Sequence, residues 1–201
     1  MLDAYEIECV RRRWIFCRDR EDWEGVSACF HPDATVNISW YCGPASGFIE
    51  LARQAAATRK PQERSQHWLG NCHAEVRGGR AVLESDVQIL TRDLLDGCLF
   101  DCTSFARFLD LIEKRDGAWR IVKWTAVYDK DRLDPVLPGS IPPAFFEGLD
   151  HKVGVGNGAF MRLRVVKKGR MVPAMVLAGS EDEAKVRREG ARWLDGGALS
   201  S

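Results

Sequence analysis

Between residues 4 and 19, Ile7, Val10, Trp14 and Cys17 recur at steps of three and four. That spacing lays one apolar stripe along a helix. Arg11, Arg12 and Arg13 interrupt it and read as the helix's solvated face. A second, shorter helix has Asp22 in its first turn and Trp23, Val26 and Phe30 on one side, until Pro32 bars its continuation. Thr35 to Tyr41 is β-branched and aromatic, the composition of a strand. Cys42 to Gly47 reads as a turn, and Phe48, Leu51, Ala52 and Ala55 mark a third helix.

From residue 66 the period changes. Stretches 66–77, 80–93, 98–114 and 118–129 read as four long strands. Gly78-Gly79, Asp96-Gly97 and Asp116-Gly117 separate them, pairs suited to tight hairpins because those turns need positive φ. Three helices followed by a meander of long strands is an α+β layout. Past Tyr128 come Pro135, Pro138-Gly139 and Pro142-Pro143, a proline-rich connector. The expected division is therefore residues 1–134 as the α+β domain and 135–201 as a C-terminal extension. The extension is too rich in large apolar side chains for a disordered tail. A short strand or two is expected between Phe160 and Leu177. A last helix follows, with Ser180 and Glu183 as a capping box and Ala184, Ala191 and Leu194 turned inward.

Composition narrows the function. Lys plus Arg and Asp plus Glu both number 29, so no excess positive field exists to neutralise phosphates, and neither nucleic acid nor an anionic membrane is expected as a partner. No apolar run approaches the ~20 residues of a membrane span. The first residues show no basic segment followed by an apolar one, so the expected compartment is the cytoplasm. The seven cysteines are odd in number and irregular in spacing, which suits reduced thiols in a core. Neither Cys72-His73 nor Cys98 with Cys102 makes a zinc knuckle, so no metal is expected. Gly154-x-Gly156-x-Gly158 opens no βαβ unit and reads as a loop; no cofactor of any kind is expected.

Candidate chemistry centres on Ser65-Gln66-His67-Trp68-Leu69-Gly70-Asn71, a strand carrying His67. A histidine oriented by a carboxylate makes a general base at neutral pH. Three segments together carry a resemblance. They are Asp19-Arg20-Glu21-Asp22-Trp23-Glu24 continuing to Phe30-His31-Pro32-Asp33-Ala34, then Ser65 to Asn71, then Arg115-Asp116-Gly117-Ala118-Trp119-Arg120-Ile121. In that order and spacing they resemble the SnoaL-like branch of the nuclear-transport-factor-2-like superfamily. The resemblance implies a cone of curved antiparallel sheet packed on three N-terminal helices. It also implies, by similarity to lyases of the scytalone dehydratase and lindane dehydrochlorinase type, that Asp19 orients His67 as the base. The rest of those pockets is not matched: Thr91-Arg92 stands where a second strand histidine is expected, and Trp14 near the place of a helix lysine.

The expected activity is a cofactor-independent elimination, most simply loss of water, on a small cyclic or aromatic apolar substrate. Isomerisation by the same base, or a non-catalytic ligand-binding or subunit module, are the alternatives. Strand parity places Asn71 on the same face as His67 unless a bulge intervenes. It also aims Phe108, Trp124 and Tyr128 into the cone. Trp40 and Tyr41 join the expected aromatic lining. Arg92 or Arg107, if turned inward, would bind an oxyanion. His31 and His73 read as structural, and His151 lies in the loop-rich extension. A homo-oligomer, dimer or trimer, is expected because this fold often associates through its sheet.

Overall fold

In a computed structural model of the chain, residues 2–147, 158–173 and 175–199 are described. The apolar stripe of the first segment folds as α1 (Leu2–Asp19), followed by α2 (Trp23–Ser27). Asp22 caps α2, its side chain accepting from the Gly25 N–H at 2.9 Å. The helix then stops earlier than expected. Phe30 and Pro32 belong to strand β1 (Phe30–Ile38), where Pro32 is exposed and leaves no buried donor missing. Tyr41 likewise leaves the expected first strand and opens β2 (Tyr41–Pro44), a hairpin partner in place of the expected turn. The third helix, α3 (Ala45–Ala57), buries Phe48, Ile49 and Ala52.

The long strands are β3 (Arg64–Arg77), β4 (Arg80–Leu95), β5 (Cys98–Arg115) and β6 (Ala118–Pro135). Asp96-Gly97 and Asp116-Gly117 take positive φ at both positions, the type I′ geometry that matches strand twist. The sheet runs β2-β1-β6-β5-β4-β3. Along that path the pairs are antiparallel except β1 with β6, which is parallel, so the sheet is mixed at that join. Bulges interrupt β3 between Leu69 and Cys72 and the β5–β6 ladder near Phe105 and Leu111, and bulges bend a sheet. Helix α1 packs against β3 and β6 on the concave side, and α3 against β1. The principal core lies between helices and sheet, with Ile7, Trp14, Phe48, Phe108, Ile121 and Trp124 in it.

The extension is more helical than expected. Phe160 begins no strand: Met161 and Val165, four residues apart, are the buried side of α4 (Ala159–Lys167), and only Val176–Leu177 pairs as a strand, β7, parallel to β6. A 3₁₀ turn (Pro143–Phe146) sets Phe145 against Phe100, Leu95 and Leu133. The last helix, α5 (Glu181–Leu194), covers the convex face, where Leu109, Leu111, Val122 and Val82 meet Val186 and Trp193. Ser180 caps it by accepting from the Glu183 N–H, but the Glu183 carboxylate accepts from Gly179 N–H rather than from Ser180. Leu194 is buried as expected, whereas Ala191 is exposed and Trp193 takes the inward position. Gly158 precedes α4 in the left-handed region at φ 83, while Gly154, Gly156 and His151 lie outside the described residues. The seven cysteines are all free thiols. No helix among the described residues is long and apolar enough to cross a membrane.

Candidate active site

The end of α1 builds the first half of the site. The chain leaves the helix through Glu21, which sits in the left-handed region at φ 60, an unusual place for a residue with a Cβ. Asp22 N–H bonds back to the Cys17 carbonyl at 2.9 Å, and Glu21 pairs with Arg59 at 2.8 Å. These contacts hold the corner and project Asp19 toward β3. That strand is the sheet edge, where outward-facing backbone N–H groups lack a strand partner. Asp19 supplies one. Its Oδ2 accepts from the His67 backbone N–H at 2.8 Å while its Oδ1 meets His67 Nδ1 at 2.7 Å.

This two-point grip has a chemical consequence. A carboxylate facing Nδ1 fixes the proton there, so the neutral ring carries its lone pair on Nε2. Both side chains are mostly buried, His67 10% and Asp19 14% exposed. Burial pushes the His67 imidazole below its ordinary value; the Asp19 hydrogen bond pulls it back up in part, and Arg18 and Arg11 push it further down. The ring is thus held neutral and oriented. Trp14 lies edge-on at 5.5 Å between centroids.

His67 lines two connected spaces. The inner one, about 50 Å³, is walled by Trp14, Ile38, Phe48, Phe108, Trp124 and Tyr128 among others. The outer one, about 460 Å³, opens at the mouth between the end of α1, α3, β3, β4 and the C-terminal end of α4. That is within the size range of sites for small molecules. Below the inner chamber the cone is filled. Arg11 and Asp110, each fully buried, form a bidentate ion pair, with Arg11 Nε to Asp110 Oδ2 at 2.9 Å. The Arg11 guanidinium lies 4.8–5.0 Å from the ring centroids of Trp14, Phe108 and Trp124.

With the geometry in place, the chain can be set beside known proteins. Residues 1–125 match the SnoaL-like domain family. The chain belongs to that family. Pea pathogenicity protein 2 of Fusarium vanettenii is 30% identical over 149 residues, covering 70% of this chain and 60% of that protein. An uncharacterized protein of Emericella nidulans is 28% identical over 152 residues, 71% of this chain and 62% of its own. The chain therefore spans about three fifths of the curated relatives it matches. Among solved structures, a putative scytalone dehydratase of Novosphingobium aromaticivorans superposes with a TM-score of 0.56 at 15% identity, covering 70% of this chain and 96% of that one. A hexachlorocyclohexane dehydrochlorinase gives 0.52 at 17% identity, covering 71% and 94%. At such identities the likeness is one of fold.

The SnoaL-like frame does not gather every residue expected at the site. Phe108, Trp124, Tyr128 and Trp40 do line the chambers with His67. Tyr41 does not: its hydroxyl donates to the Pro44 carbonyl at 2.7 Å, closing its own hairpin, and its ring faces a separate groove with Leu51 and Met171. Asn71 is turned away as well. The bulge between Leu69 and Cys72 shifts the alternation, so Leu69, Cys72 and Ala74 continue the His67 face. Asn71 is exposed, its Nδ2 donating to Asp86 at 3.2 Å. Arg92 is on the outer face in a bidentate pair with Asp101, 2.7 Å at both contacts; its neighbours Thr91 and Asp93 face the mouth instead. Arg107 pairs with Glu84 and Glu183 under α5. His31 is structural, its Nε2–H donating to the Glu113 carbonyl at 3.0 Å, and His73 lines the convex groove beneath α5.

Three features were missed. Arg11 is no solvated residue: it falls four after Ile7 and three before Trp14, on the apolar stripe itself. That position, with Asp110 inside the apolar run Phe108–Ile112, was the available signal. The second is the hydroxyl of Tyr128, which accepts from the Ser39 N–H at 3.0 Å at the chamber wall. The third is the set of cations that α4 and the segment after it bring to the mouth, Arg164, Lys167, Lys168 and Arg170. Arg164 and Lys168 both pair with the buried Asp93, and Lys168 also meets Glu63 at 2.8 Å. Burial alone would raise the Asp93 carboxyl, but Arg164 and Lys168 hold it at about 2. Among the described residues no group of three or more His, Cys, Asp or Glu side chains could hold a metal ion.

Proposed function

We propose that the chain is a cofactor-independent lyase that eliminates a leaving group, most simply water, from a small ring-bearing substrate. The observation that carries this reading is the two-point grip of Asp19 on His67, which leaves Nε2 as the only basic ring atom, at the wall of a cavity. In the reaction, Nε2 takes a proton from a carbon acidified by a neighbouring carbonyl or aryl group. The C–H electron pair becomes the new double bond, and the bond to the departing oxygen breaks. Asp19 steadies the imidazolium that forms. Tyr128 replaces Asn71 and Arg92 as the group that assists departure. Its oxygen accepts from the Ser39 N–H, the Ser39 hydroxyl is a second hydrogen-bond partner, and burial raises its pKa, keeping it a donor. Protonation of the leaving oxygen by Tyr128 releases water, and the proton gained by His67 balances the one given up.

The solved-structure neighbours include proteins named for a dehydration and a dehydrochlorination, both eliminations, which is consistent with this chemistry. Metabolite profiling of a deletion strain, followed by assay of what accumulates, identifies the substrate. On that compound His67→Ala should lower turnover by about 10²–10⁴. Retention of more than about a tenth of the activity sinks the base assignment.

One observation favours a second reading, a non-catalytic binding module: the cone below His67 is packed solid by Arg11, Asp110, Trp14, Phe108 and Trp124. In that case His67→Ala weakens binding of the compound but no turnover exists to lose. A homo-oligomer, dimer or trimer, remains the proposed assembly, with Tyr5, Phe16 and Trp68 among the exposed apolar residues available to it; light scattering reads its size.

A further inference from the structure

The mouth carries more positive charge than it neutralises. Its lining holds eight Lys and Arg side chains against two carboxylates, Glu63 and Asp93. Most of the cations are accounted for. Arg164 and Lys168 share Asp93, Lys167 pairs with Asp96, Arg59 with Glu21, and Arg64 donates to the carbonyls of Pro61 and Glu63. Arg18 and Arg170 are different. Each is half-buried and, among the described residues, its guanidinium makes no ion pair or hydrogen bond; Arg18 lies over Trp23 at 5.2 Å and Arg170 over Trp40 at 4.6 Å. The nearest acid along the chain from Arg18 is Asp19, whose two oxygens are both taken by His67.

An unpaired guanidinium at a half-buried site is costly, and two of them in one cavity repel. Burial lowers the Arg18 pKa to about 10 despite the help of Asp19, with Arg170 and Arg59 pushing the same way. Burial lowers Arg170 too, with Arg164 adding to it. A third group in the same lining lacks a partner. Thr91 Oγ1 is fully buried and makes no hydrogen bond, and it stands two residues along β4 from Ile89, the cross-strand partner of His67. Two unpaired forks, an unpaired hydroxyl and the Trp40 ring surround open space beside a proposed base. Such an arrangement fits a planar acid: a carboxylate takes both guanidiniums and the hydroxyl, and the attached ring lies along Trp40 toward the inner chamber.

We infer that Arg18 and Arg170 form an anion subsite, and that the substrate of the His67 site is a ring-bearing carboxylic acid rather than a neutral apolar compound. The inference rests on the reading of His67 as the base only for the word substrate; the binding itself is tested without turnover. The probe is 2-naphthoate, titrated into the full chain and followed by tryptophan fluorescence, with 2-naphthamide and 2-naphthyl phosphate as controls. The expected result is saturable binding of naphthoate that weakens with added salt, about tenfold or more weaker binding by Arg18→Gln and by Arg170→Gln, and partial recovery in Arg18→Lys. The titrations of the parent and of the Arg18 and Arg170 variants read binding and not turnover, so a failed base assignment leaves this result standing. Far-UV circular dichroism confirms that each variant is folded, and Arg170, outside any helix or strand, provides the variant with least structural risk. Equal affinity for naphthamide, stronger binding of the phosphate, or unchanged affinity in both folded Gln variants overturns the inference.

Discussion

Arg11 and Arg18 lie seven residues apart on α1, two turns along the same side of one helix, yet they meet opposite fates. Arg11 sits at the closed base of the cone, fully buried, with a bidentate carboxylate and three aromatic rings around it. Arg18 sits at the open mouth with a ring and no carboxylate. The carboxylate beside it is committed to His67 instead. One guanidinium is therefore given its counter-ion by the fold, and the other is left for something the fold does not contain. The same side chain is structural or available for binding according to where the nearest free acid goes.

The comparison is broken most severely at the base. Asp110→Ala strands Arg11 as an unpaired buried charge, a loss of about 3–5 kcal/mol by chemical denaturation. Changing both members, Arg11→Met with Asp110→Leu, should recover most of that, because an apolar pair of similar volume needs no partner. Arg18→Gln should shift unfolding by no more than about 0.5 kcal/mol. A large cost at Arg18 and a small one at Asp110 would reverse the assignment of the two ends.

The next effect is on rate. Asp19→Asn should keep the fold but lose most of the turnover that His67→Ala loses, since an amide can donate to Nδ1 and stabilise the tautomer with its lone pair on the wrong nitrogen. Wild-type activity retained in Asp19→Asn removes the orienting role.

The pH profile sharpens the contrast further. The groups bearing on His67 are Asp19, Arg18 and Arg11 from α1, with Asp93, Arg164, Glu63 and Lys168 across the mouth. Their balance with burial lowers the imidazole pKa, so the base form persists to more acidic pH than usual. For the free enzyme kcat/KM should rise through a value below 6.5 and then level. A profile that keeps rising well above 6.5 removes His67 as the group that sets this limb.

How much of this was legible in the sequence depends on range. The hairpin pairs at Asp96-Gly97 and Asp116-Gly117 state their geometry in two adjacent residues, so all four long strands could be read. The family resemblance joined Asp19 to His67, which no local pattern could do. What could not be read was set by contacts between distant segments. The long sheet supplied surfaces that turned Phe160–Val165 into a helix and Phe30–Pro32 into a strand. Cations 97 or more residues beyond His67 reach its mouth only because α4 folds back over β4.

The smallest effect belongs to the residues the bulge turned outward. Strand alternation counted from His67 puts Asn71 in the cavity, but one extra residue between Leu69 and Cys72 reverses the face for the rest of β3. Its hydrogen bond to Asp86 is exposed and competes with water. Arg92 has good bidentate geometry with Asp101, but the two side chains are 42% and 48% exposed, so solvent screens most of the attraction. Asn71→Ala and Arg92→Gln should each leave kcat/KM within about twofold and stability within about 0.5 kcal/mol. The informative case is Arg92→Gln beside Arg18→Gln, because both remove one positive charge from the same rim of the molecule. If long-range field alone drew the acid in, the two variants should weaken naphthoate binding equally. If direct contact holds it, only Arg18→Gln should weaken it, and the salt dependence should persist in Arg92→Gln.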